Sequence, residues 1–301
     1  MQLNQLTDKL SDGSLDTVFE TLYEKDDRII ARQRKRSMQA TQRFAALFPT
    51  HDDVHLYSAP GRTEIGGNHT DHQNGCAVAA TVDLDALAVV AFHREGVIRL
   101  YSEGYGMNEV SLSDLDVHEE EKGTTVALIR GVASRFVQMN VKVNGFDAYV
   151  TSDVLSGSGL SSSAAFEVLI ATIINDHDHN GAADAIEVAK IGQYAENVYF
   201  GKGSGLLDQV VSSVGGSVLV DFGDPEQPVV KKLDFDFASV GYSLCITDTK
   251  GNHSDLSDEY TAIPNEMRSV AACFGRSVLR EVNEERFFVL IPRSEERRVG
   301  K

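Results

Sequence analysis

The sequence predicts a mixed α and β protein, and its 301 residues are enough for two domains. Apolar residues recur at helical spacing within residues 1–50, 126–139 and 185–195, which predicts amphipathic helices. Strand-like patterns at 77–101, and the alternation of apolar and polar residues at 146–151, predict strands. The composition, 42% hydrophobic with 24% charged residues, is typical of a soluble globular protein.

Charge and cysteine content limit the classes of partner and the cellular compartment that we expect. A net charge of −17 and a pI near 4.9 repel polyanions, so we expect no nucleic-acid partner. No leader-like start and no apolar run near the ~20 residues of a bilayer span occur, so we expect a cytoplasmic protein and no membrane partner. The three cysteines, Cys76, Cys245 and Cys273, are far apart and have small or apolar neighbours, which predicts reduced side chains in packing roles.

The first third of the chain is predicted to place a polar loop on a sheet. Two or three helices within residues 1–50 end before Pro49, and a short strand at 54–57 follows. Residues 60–75 then form a glycine-rich polar loop. Three strand patterns at 77–82, 86–92 and 97–101 indicate the sheet that carries this loop.

The polar loop contains groups suited to a sugar and to a phosphate. His69 and Asp71 can bind hydroxyl groups, and Arg62 is a permanent cation suited to phosphate. Two alternatives remain open: His69 and His72 could bind a metal ion, or Arg62 and Asp71 could form a structural ion pair.

Residues 155–165 are predicted to bind phosphate. Gly157 and Gly159 let a ligand approach the backbone, and the serines 161–163 stand at the start of a buried helix. The unpaired N–H groups of a helix N-terminus attract anions, especially after a strand and a glycine loop. No Gly-Lys-Ser/Thr follows, so this is not a Walker motif. The alternative is an ordinary connection with a serine N-cap.

Residues 176–187 match the written EF-hand pattern, Asp-x-Asp-x-Asn-Gly-x5-Glu. Only one copy exists, and Ala183 stands where a β-branched apolar residue is expected. Asn-Gly followed by an acidic first turn is also common where one helix ends and the next begins. We therefore favour a helix-loop-helix connection over a calcium site.

A further candidate acid follows this connection. The helix at 185–195 presents Glu196, and a glycine-rich loop at 201–205 leads to Asp208 at the start of another helix. Asp208 is either a helix cap or first-turn carboxylate, or a carboxylate that accepts a proton from a substrate hydroxyl. Beyond it, the patterns predict a strand or hairpin at 214–222, a turn at 225–228, a strand at 241–248 and a helix at 263–274.

Three of these segments, in this order, resemble motifs of the galactokinases, which belong to the GHMP (galactokinase, homoserine, mevalonate and phosphomevalonate kinase) superfamily. They are Gly61-Arg62…Gly67-Asn68-His69-Thr70-Asp71…Gly75, Gly157-Ser158-Gly159-Leu160-Ser161-Ser162-Ser163-Ala164 and Gly205-Leu206-Leu207-Asp208-Gln209. The resemblance extends over roughly residues 40–290. It implies an enzyme that phosphorylates galactose with ATP at the anomeric hydroxyl, giving galactose 1-phosphate.

The resemblance implies a role for each motif residue. Asp208 takes the proton of the anomeric hydroxyl, and Arg62 lowers the pKa of Asp208 and stabilises the transferred phosphoryl group. Mg²⁺ is held by Glu196 with Ser162 or Ser163, of which we favour Ser163. The residues implied to bind ATP are Gly157, Ser158, Gly159, Leu160, Ser161, Ser162 and Ser163. The residues implied to bind the sugar are Asn68, His69, Asp71, Gly205 and Tyr260.

The implied architecture is a two-domain α+β GHMP-kinase fold in a monomer. Residues 1–225 correspond to an N-terminal domain like ribosomal protein S5, and residues 226–292 to part of a ferredoxin-like C-terminal domain. The family's third glycine-rich motif is missing, and residues 293–301 resemble a translated sequencing adapter. We therefore expect a truncated gene product with a non-native tail, which an authentic stop codon after Lys301 would refute. Whether such a chain folds and is active is left open.

One departure from the family motif concerns the choice of sugar. Asn68 stands where the family has Glu, and Glu64 where it has Asn. Asn68 still accepts a hydrogen bond but has no charge. Galactose is the expected substrate, and the alternatives are another aldose, an amino sugar, or a protein that senses galactose and ATP without catalysis.

Overall fold

The computed structural model describes residues 1–23, 25–67, 70–154, 157, 159–235, 237–247 and 257–289. The predicted site residues Asn68, His69 and Ser158 lie outside this part of the chain, as do residues 293–301 and the side chain of Tyr260. The chain divides into two compact units, Met1–Thr63 with Thr81–Gly216, and Glu64–Ala80 with Ser217–Lys301. The units are interleaved along the chain, and the division after residue 225 stays a prediction.

The described part of the chain contains eight α-helices and seven strands. The α-helices are α1 (Leu3–Asp12), α2 (Asp16–Leu22), α3 (Asp27–Leu47), α4 (Thr125–Gln138), α5 (Ser162–Asp178), α6 (Ala185–Tyr194), α7 (Leu207–Val214) and α8 (Ser257–Ala272). The strands are β1 (His55–Gly66), β2 (Cys76–His93), β3 (Val97–Ser102), β4 (Gly106–Ser111), β5 (Gly145–Ser152), β6 (Ser217–Asp221) and β7 (Val229–Leu233). A π-helix, Ala195–Phe200, continues α6.

The first unit is a sheet with helices on both faces. Strand β5 pairs antiparallel with the second half of β2 and parallel with β3, which pairs antiparallel with β4. Successive side chains of a strand point to opposite faces, so one strand supplies two cores. On β2, Val90 lies in the core with α4, α5 and α6, whereas its neighbour Val89 lies in the core with α1, α2 and α3. The predicted alternation in 146–151 is confirmed.

The helix starts follow local side-chain chemistry. Asp26 caps α3 by accepting hydrogen bonds from Arg28 N and Ile29 N, and Thr124 and Asp184 cap α4 and α6 in the same way. Such caps satisfy backbone N–H groups that have no partner inside the helix. The predicted helices within residues 1–50 are confirmed, and α3 ends before Pro49.

The segment 176–187 is a helix-loop-helix connection, as favoured from the sequence. Asp176 accepts a hydrogen bond from the Tyr57 hydroxyl at 2.7 Å, and Asp178 accepts one from Asn144 Nδ2 at 2.6 Å. Asp184 is occupied as the cap of α6. Within the described residues, no group of three or more His, Cys, Asp or Glu side chains could hold a metal ion.

The second unit contains a small antiparallel sheet. The first five residues of β2 pair with β6, and β6 pairs with β7. A strand is thus confirmed within 214–222, and its hairpin partner β7 lies beyond that range, after the turn predicted at 225–228. Arg280, which follows α8 in the chain, forms an ion pair with Asp221 at the end of β6. The strand predicted at 241–248 is wrong, because residues 242–247 have no regular secondary structure and 248 lies outside the described chain.

Three other expectations are wrong. Strand β1 reaches Gly66, so the predicted polar loop is shorter than expected, and the strands predicted at 77–82 and 86–92 are one strand, β2. All three cysteines are free but exposed, not packed in the interior.

Across the residues that the structure describes, no helix is long and apolar enough to cross a membrane.

Candidate active site

Arg62 and Asp208 form an ion pair in the first unit. Arg62 lies on β1 and Asp208 in the first turn of α7. The Nε and NH2 atoms of Arg62 are each 2.7 Å from Oδ1 of Asp208. The Arg62 side chain is 15% exposed and the Asp208 side chain 34% exposed. The alternative pairing of Arg62 with Asp71 is therefore wrong.

The same arginine is joined to the glycine-serine loop before α5. Its NH1 donates to the Gly159 carbonyl at 2.7 Å, and its backbone N–H donates to the Leu160 carbonyl at 3.0 Å. A Cβ on Gly61 would lie 2.9 Å from the Leu160 carbonyl oxygen, so only glycine allows the strand to approach this closely. Glycine at position 61 thus sets the distance between Arg62 and the loop.

Ser161 connects the loop to the acid. Its hydroxyl donates to Oδ2 of Asp208. Ser161 has φ of 59°, a left-handed conformation uncommon outside glycine, and it directly precedes α5. It makes no side-chain cap, so the serine N-cap predicted as an alternative is wrong. The N–H groups of the first turn of α5 are left to bind another acceptor.

Helix α7 is fixed against β1 behind Asp208. The Ser212 hydroxyl donates to the Pro60 carbonyl at 2.7 Å, and Leu207, Val210 and Val211 are buried. The N-cap of α7 is Leu206 and has no side-chain cap bond, so the cap alternative for Asp208 is wrong, but Asp208 does lie in the first turn, as the other alternative has it. The carboxylate is thus held at a fixed place beside the loop, with part of its surface open to solvent.

Glu196 lies on the π-helix, Ala195–Phe200, and receives several hydrogen bonds. Its Oε1 accepts from the Ser163 hydroxyl at 3.0 Å and from Nζ of Lys202 at 3.1 Å. Its Oε2 accepts from the Ser204 hydroxyl at 2.5 Å. Burial is the largest single influence on the pKa of Lys202 and lowers it, but the charge and the hydrogen bond of Glu196, together with smaller contributions from nearby acids, raise this pKa. Glu196 is 2% exposed, so its charge is stabilised by donors from the protein.

Two further residues complete this cluster and were missed from the sequence. Gln209, next to Asp208, donates to Glu196, and it also donates to Glu167 in the middle of α5. The available signal was an acid within the apolar run of α5, at a position where a charge needs a partner. Lys202 and Ser204 were visible only as members of the glycine-rich loop at 201–205.

The predicted sugar-binding residues are only partly described. Asp71 lies in the second unit, in the 3₁₀-helix Asp71–Gln73, and its Oδ1 accepts the His72 backbone N–H at 2.9 Å. Gly205 lies in the first unit, in the loop before α7. The backbone of Tyr260 lies in α8.

The donor set around Glu196 fits a magnesium ion. Ser163 and Glu196 place two oxygen atoms 3.0 Å apart, and hydroxyl and carboxylate oxygens are ligands of Mg²⁺. This ion usually takes only one or two protein carboxylates, and phosphate and water complete its shell. A single buried carboxylate with a neighbouring hydroxyl is therefore sufficient.

Comparisons with known proteins agree with these motifs. Residues 127–216 match the family described as GHMP kinases N terminal domain, and residues 42–92 match the galactokinase galactose-binding signature. The galactokinase of Streptomyces coelicolor is 32% identical over 244 residues, which are 80% of this chain and 62% of that protein. The galactokinase of Bacillus subtilis is 32% identical over 176 residues, 57% of this chain and 44% of that protein.

Over these residues the chain is similar to the galactokinases and to the N-terminal domain of the GHMP kinases. It spans about three fifths and two fifths of the lengths of these two galactokinases.

Two solved structures have the same fold as this chain. A Lactococcus lactis galactokinase, solved in complex with galactose, superposes with a TM-score of 0.68 at 21% identity, over 84% of this chain and 66% of that chain. The mevalonate kinase of Methanococcus jannaschii gives a TM-score of 0.54 at 17% identity, over 78% of this chain and 75% of that chain. The predicted α+β GHMP-kinase fold is therefore confirmed.

Proposed function

We propose that this protein transfers the γ-phosphoryl group of ATP to the anomeric hydroxyl of galactose, with galactose 1-phosphate as the product. The observation that carries the proposal is the contact of Asp208 with both Arg62 and Ser161 at the start of α5. An acid, a permanent cation and a helix N-terminus meet at one place. Phosphoryl transfer requires positioning and charge neutralisation at such a place.

Asp208 is proposed to accept the proton of the attacking hydroxyl. Its Oδ1 is held by Arg62 and its Oδ2 by Ser161, which fixes the orientation of the carboxylate. About a third of the side chain is exposed, so a sugar hydroxyl can reach it. A carboxylate in hydrogen-bonding distance of a hydroxyl can take its proton as the oxygen attacks phosphorus.

Arg62 is proposed to stabilise the transferring phosphoryl group. Its guanidinium is fixed on one side by Asp208 and on another by the Gly159 carbonyl. A guanidinium in a fixed orientation stabilises charge that develops on phosphoryl oxygens, and it does so without reorganisation during the reaction. Ser161 and Gly159 thus tie both reacting side chains to the loop that would hold the phosphates.

The remaining charge of ATP is proposed to be neutralised by α5 and by Mg²⁺. The free N–H groups of the first turn of α5 suit phosphate oxygens. Ser163 and Glu196 would hold Mg²⁺, which when bound supplies positive charge to the phosphates. Among the sugar residues, Asp71 and Gly205 remain proposed contacts, together with Asn68, His69 and Tyr260.

An ATP-consumption assay against several sugars tests this function. The chain is incubated with Mg-ATP and galactose, N-acetylgalactosamine, arabinose or glucose. We expect the highest kcat/KM for galactose. A clear preference for another of these sugars would replace galactose as the substrate, whereas ATP and galactose binding without turnover of any sugar would support a sensor.

A further inference from the structure

The carboxamide of Gln209 lies between two buried carboxylates. Its Nε2 donates to Oε2 of Glu167 and to Oε2 of Glu196, each at 2.9 Å. An amide nitrogen has two hydrogens, and both are used here. Gln209 and Glu167 are fully buried, and Glu196 is 2% exposed. Water therefore cannot replace Gln209 as the partner of Glu196.

The backbone around this bridge leaves no room for another arrangement. A Cβ on Gly192 would lie 3.1 Å from Cβ of Glu167 and 3.3 Å from Cγ of Gln209. Helix α6 thus packs directly on both side chains at a glycine. The three acceptor and donor groups come from α5, the π-helix and α7, so the bridge joins three elements in one buried place.

Glu167 is suited to this place as a neutral acid. Burial, and next the charge of Glu196, raise the pKa of Glu167 well above its usual range. Within the described residues, Oε1 of Glu167 and Oε1 of Gln209 are buried without a hydrogen-bond partner. A carboxylic acid carries the O–H that such acceptors lack, so a neutral Glu167 leaves the single negative charge on Glu196.

We infer that Gln209 and Glu167 are positioning residues that orient Glu196 toward the metal ion. The inference rests on the proposed function, since it assigns Mg²⁺ to Glu196 and Ser163. Gln209 holds Oε2 of Glu196, so that Oε1 points to the Ser163 hydroxyl. Glu167 in turn fixes the carboxamide of Gln209. Groups that orient a metal ligand commonly change metal affinity by about 10- to 100-fold when they are removed.

Metal binding by variants of the 301-residue chain tests this inference. The dissociation constant of Mn²⁺, which reports on the Mg²⁺ site by electron paramagnetic resonance, is measured with β,γ-imido-ATP present. We expect Gln209→Met, which keeps the volume but has no donor, to weaken Mn²⁺ binding about 10- to 100-fold. The matched control is Gln33→Met, the same change at a buried glutamine of α3, which should leave binding unchanged.

A second pair of variants separates positioning from packing. Glu167→Gln can still accept the hydrogen bond from Gln209 and should bind Mn²⁺ as the unaltered chain does. Glu167→Leu cannot accept it and should weaken Mn²⁺ binding in the same direction as Gln209→Met. This pair also decides the matter if Gln209→Met does not fold.

The outcomes separate this inference from the proposed function. Unchanged Mn²⁺ binding in Gln209→Met and Glu167→Leu would overturn the inference, as would equal weakening in Gln33→Met. A chain that binds no Mn²⁺ with the nucleotide analogue would overturn it too. A chain that binds Mn²⁺ as expected but phosphorylates no sugar would refute only the proposed function.

Discussion

The first unit contains two arginine-aspartate pairs that are built alike and differ in exposure. Arg36 pairs with Asp85, and Arg62 pairs with Asp208. Each aspartate also accepts a hydrogen bond from a serine hydroxyl, Ser58 in the first pair and Ser161 in the second. The Asp85 side chain is 2% exposed, whereas that of Asp208 is 34% exposed.

This difference separates a structural pair from a reactive one. Asp85 accepts a further hydrogen bond from the Tyr23 hydroxyl at 2.6 Å, and Arg36 donates to the Asp85 and Thr151 carbonyls. The Asp85 carboxylate is buried and accepts hydrogen bonds from an arginine, a serine and a tyrosine, so almost no surface of it is left for a substrate. Asp208 keeps open surface next to a helix N-terminus. The same residue types thus stabilise the fold at one place and are available for chemistry at the other.

The largest expected effect is on activity at the exposed pair. Asp208→Asn removes the proposed proton acceptor and should lower kcat about 10²- to 10⁴-fold. Its effect on the free energy of unfolding should stay within about 1 kcal/mol, because a half-exposed ion pair contributes little to stability. Steady-state kinetics and urea denaturation measure the two effects. Activity close to that of the unaltered chain would remove Asp208 from the mechanism.

The matched change at the buried pair should act on stability instead. Asp85→Asn removes the nearer counter-ion of the buried Arg36 guanidinium and leaves Asp153, whose Oδ2 lies 3.6 Å away, so it should lower the free energy of unfolding by about 3 kcal/mol. The kcat of the folded protein should not change. Urea denaturation with kinetics below the transition checks both statements. A loss of kcat without a loss of stability would contradict the structural role.

Smaller effects are expected when one hydroxyl is removed from each pair. Tyr23→Phe should lower the free energy of unfolding by about 1.5 kcal/mol, because it removes a hydrogen bond to a buried carboxylate. Ser161→Ala should lower kcat about tenfold, since one hydrogen bond of about 1 kcal/mol no longer orients Asp208. Equal effects of the two variants on stability would show that exposure does not distinguish the pairs.

The smallest effect is the pH dependence of the buried pair. Burial, and next the charge of Asp85, raise the pKa of Tyr23 above its usual value of 10.0. The folded protein therefore keeps this phenol neutral above pH 10, whereas the unfolded chain ionises it and gains stability. The stability difference between the unaltered chain and Tyr23→Phe should shrink as pH rises above 10. Denaturation of both proteins at several pH values measures it, and a constant difference would contradict the raised pKa.

The sequence predicted the parts of the site that have local signals. Glycine spacing marks the loop at 157–163, and an acid at a helix start marks Asp208. Residue chemistry alone did not select the partner of Arg62, because Asp71 and Asp208 both offer a carboxylate, whereas the resemblance to galactokinases implied Asp208. The hydrogen bond from Ser161 to Asp208 depends on a left-handed backbone conformation at a serine, which the residue pattern does not predict.

The errors in the fold have a common cause. Strand patterns report alternation but not the partner strand, so the pattern at 241–248 was given a strand although residues 242–247 have none. Apolar neighbours in sequence do not establish burial, and the three cysteines are exposed. The role of Glu167 was not recognised from the sequence, because its partner Gln209 lies 42 residues further along the chain.

Product analysis by NMR tests the central claim most directly. Galactose labelled with ¹³C at its anomeric carbon is incubated with Mg-ATP and the unaltered chain, Asp85→Asn or Asp208→Asn. We predict phosphorus coupling at the anomeric carbon with the unaltered chain and with folded Asp85→Asn, and none with Asp208→Asn over the same time. Coupling that forms as fast with Asp208→Asn, or that fails only with folded Asp85→Asn, would contradict the assignment of Asp208 as the reactive carboxylate.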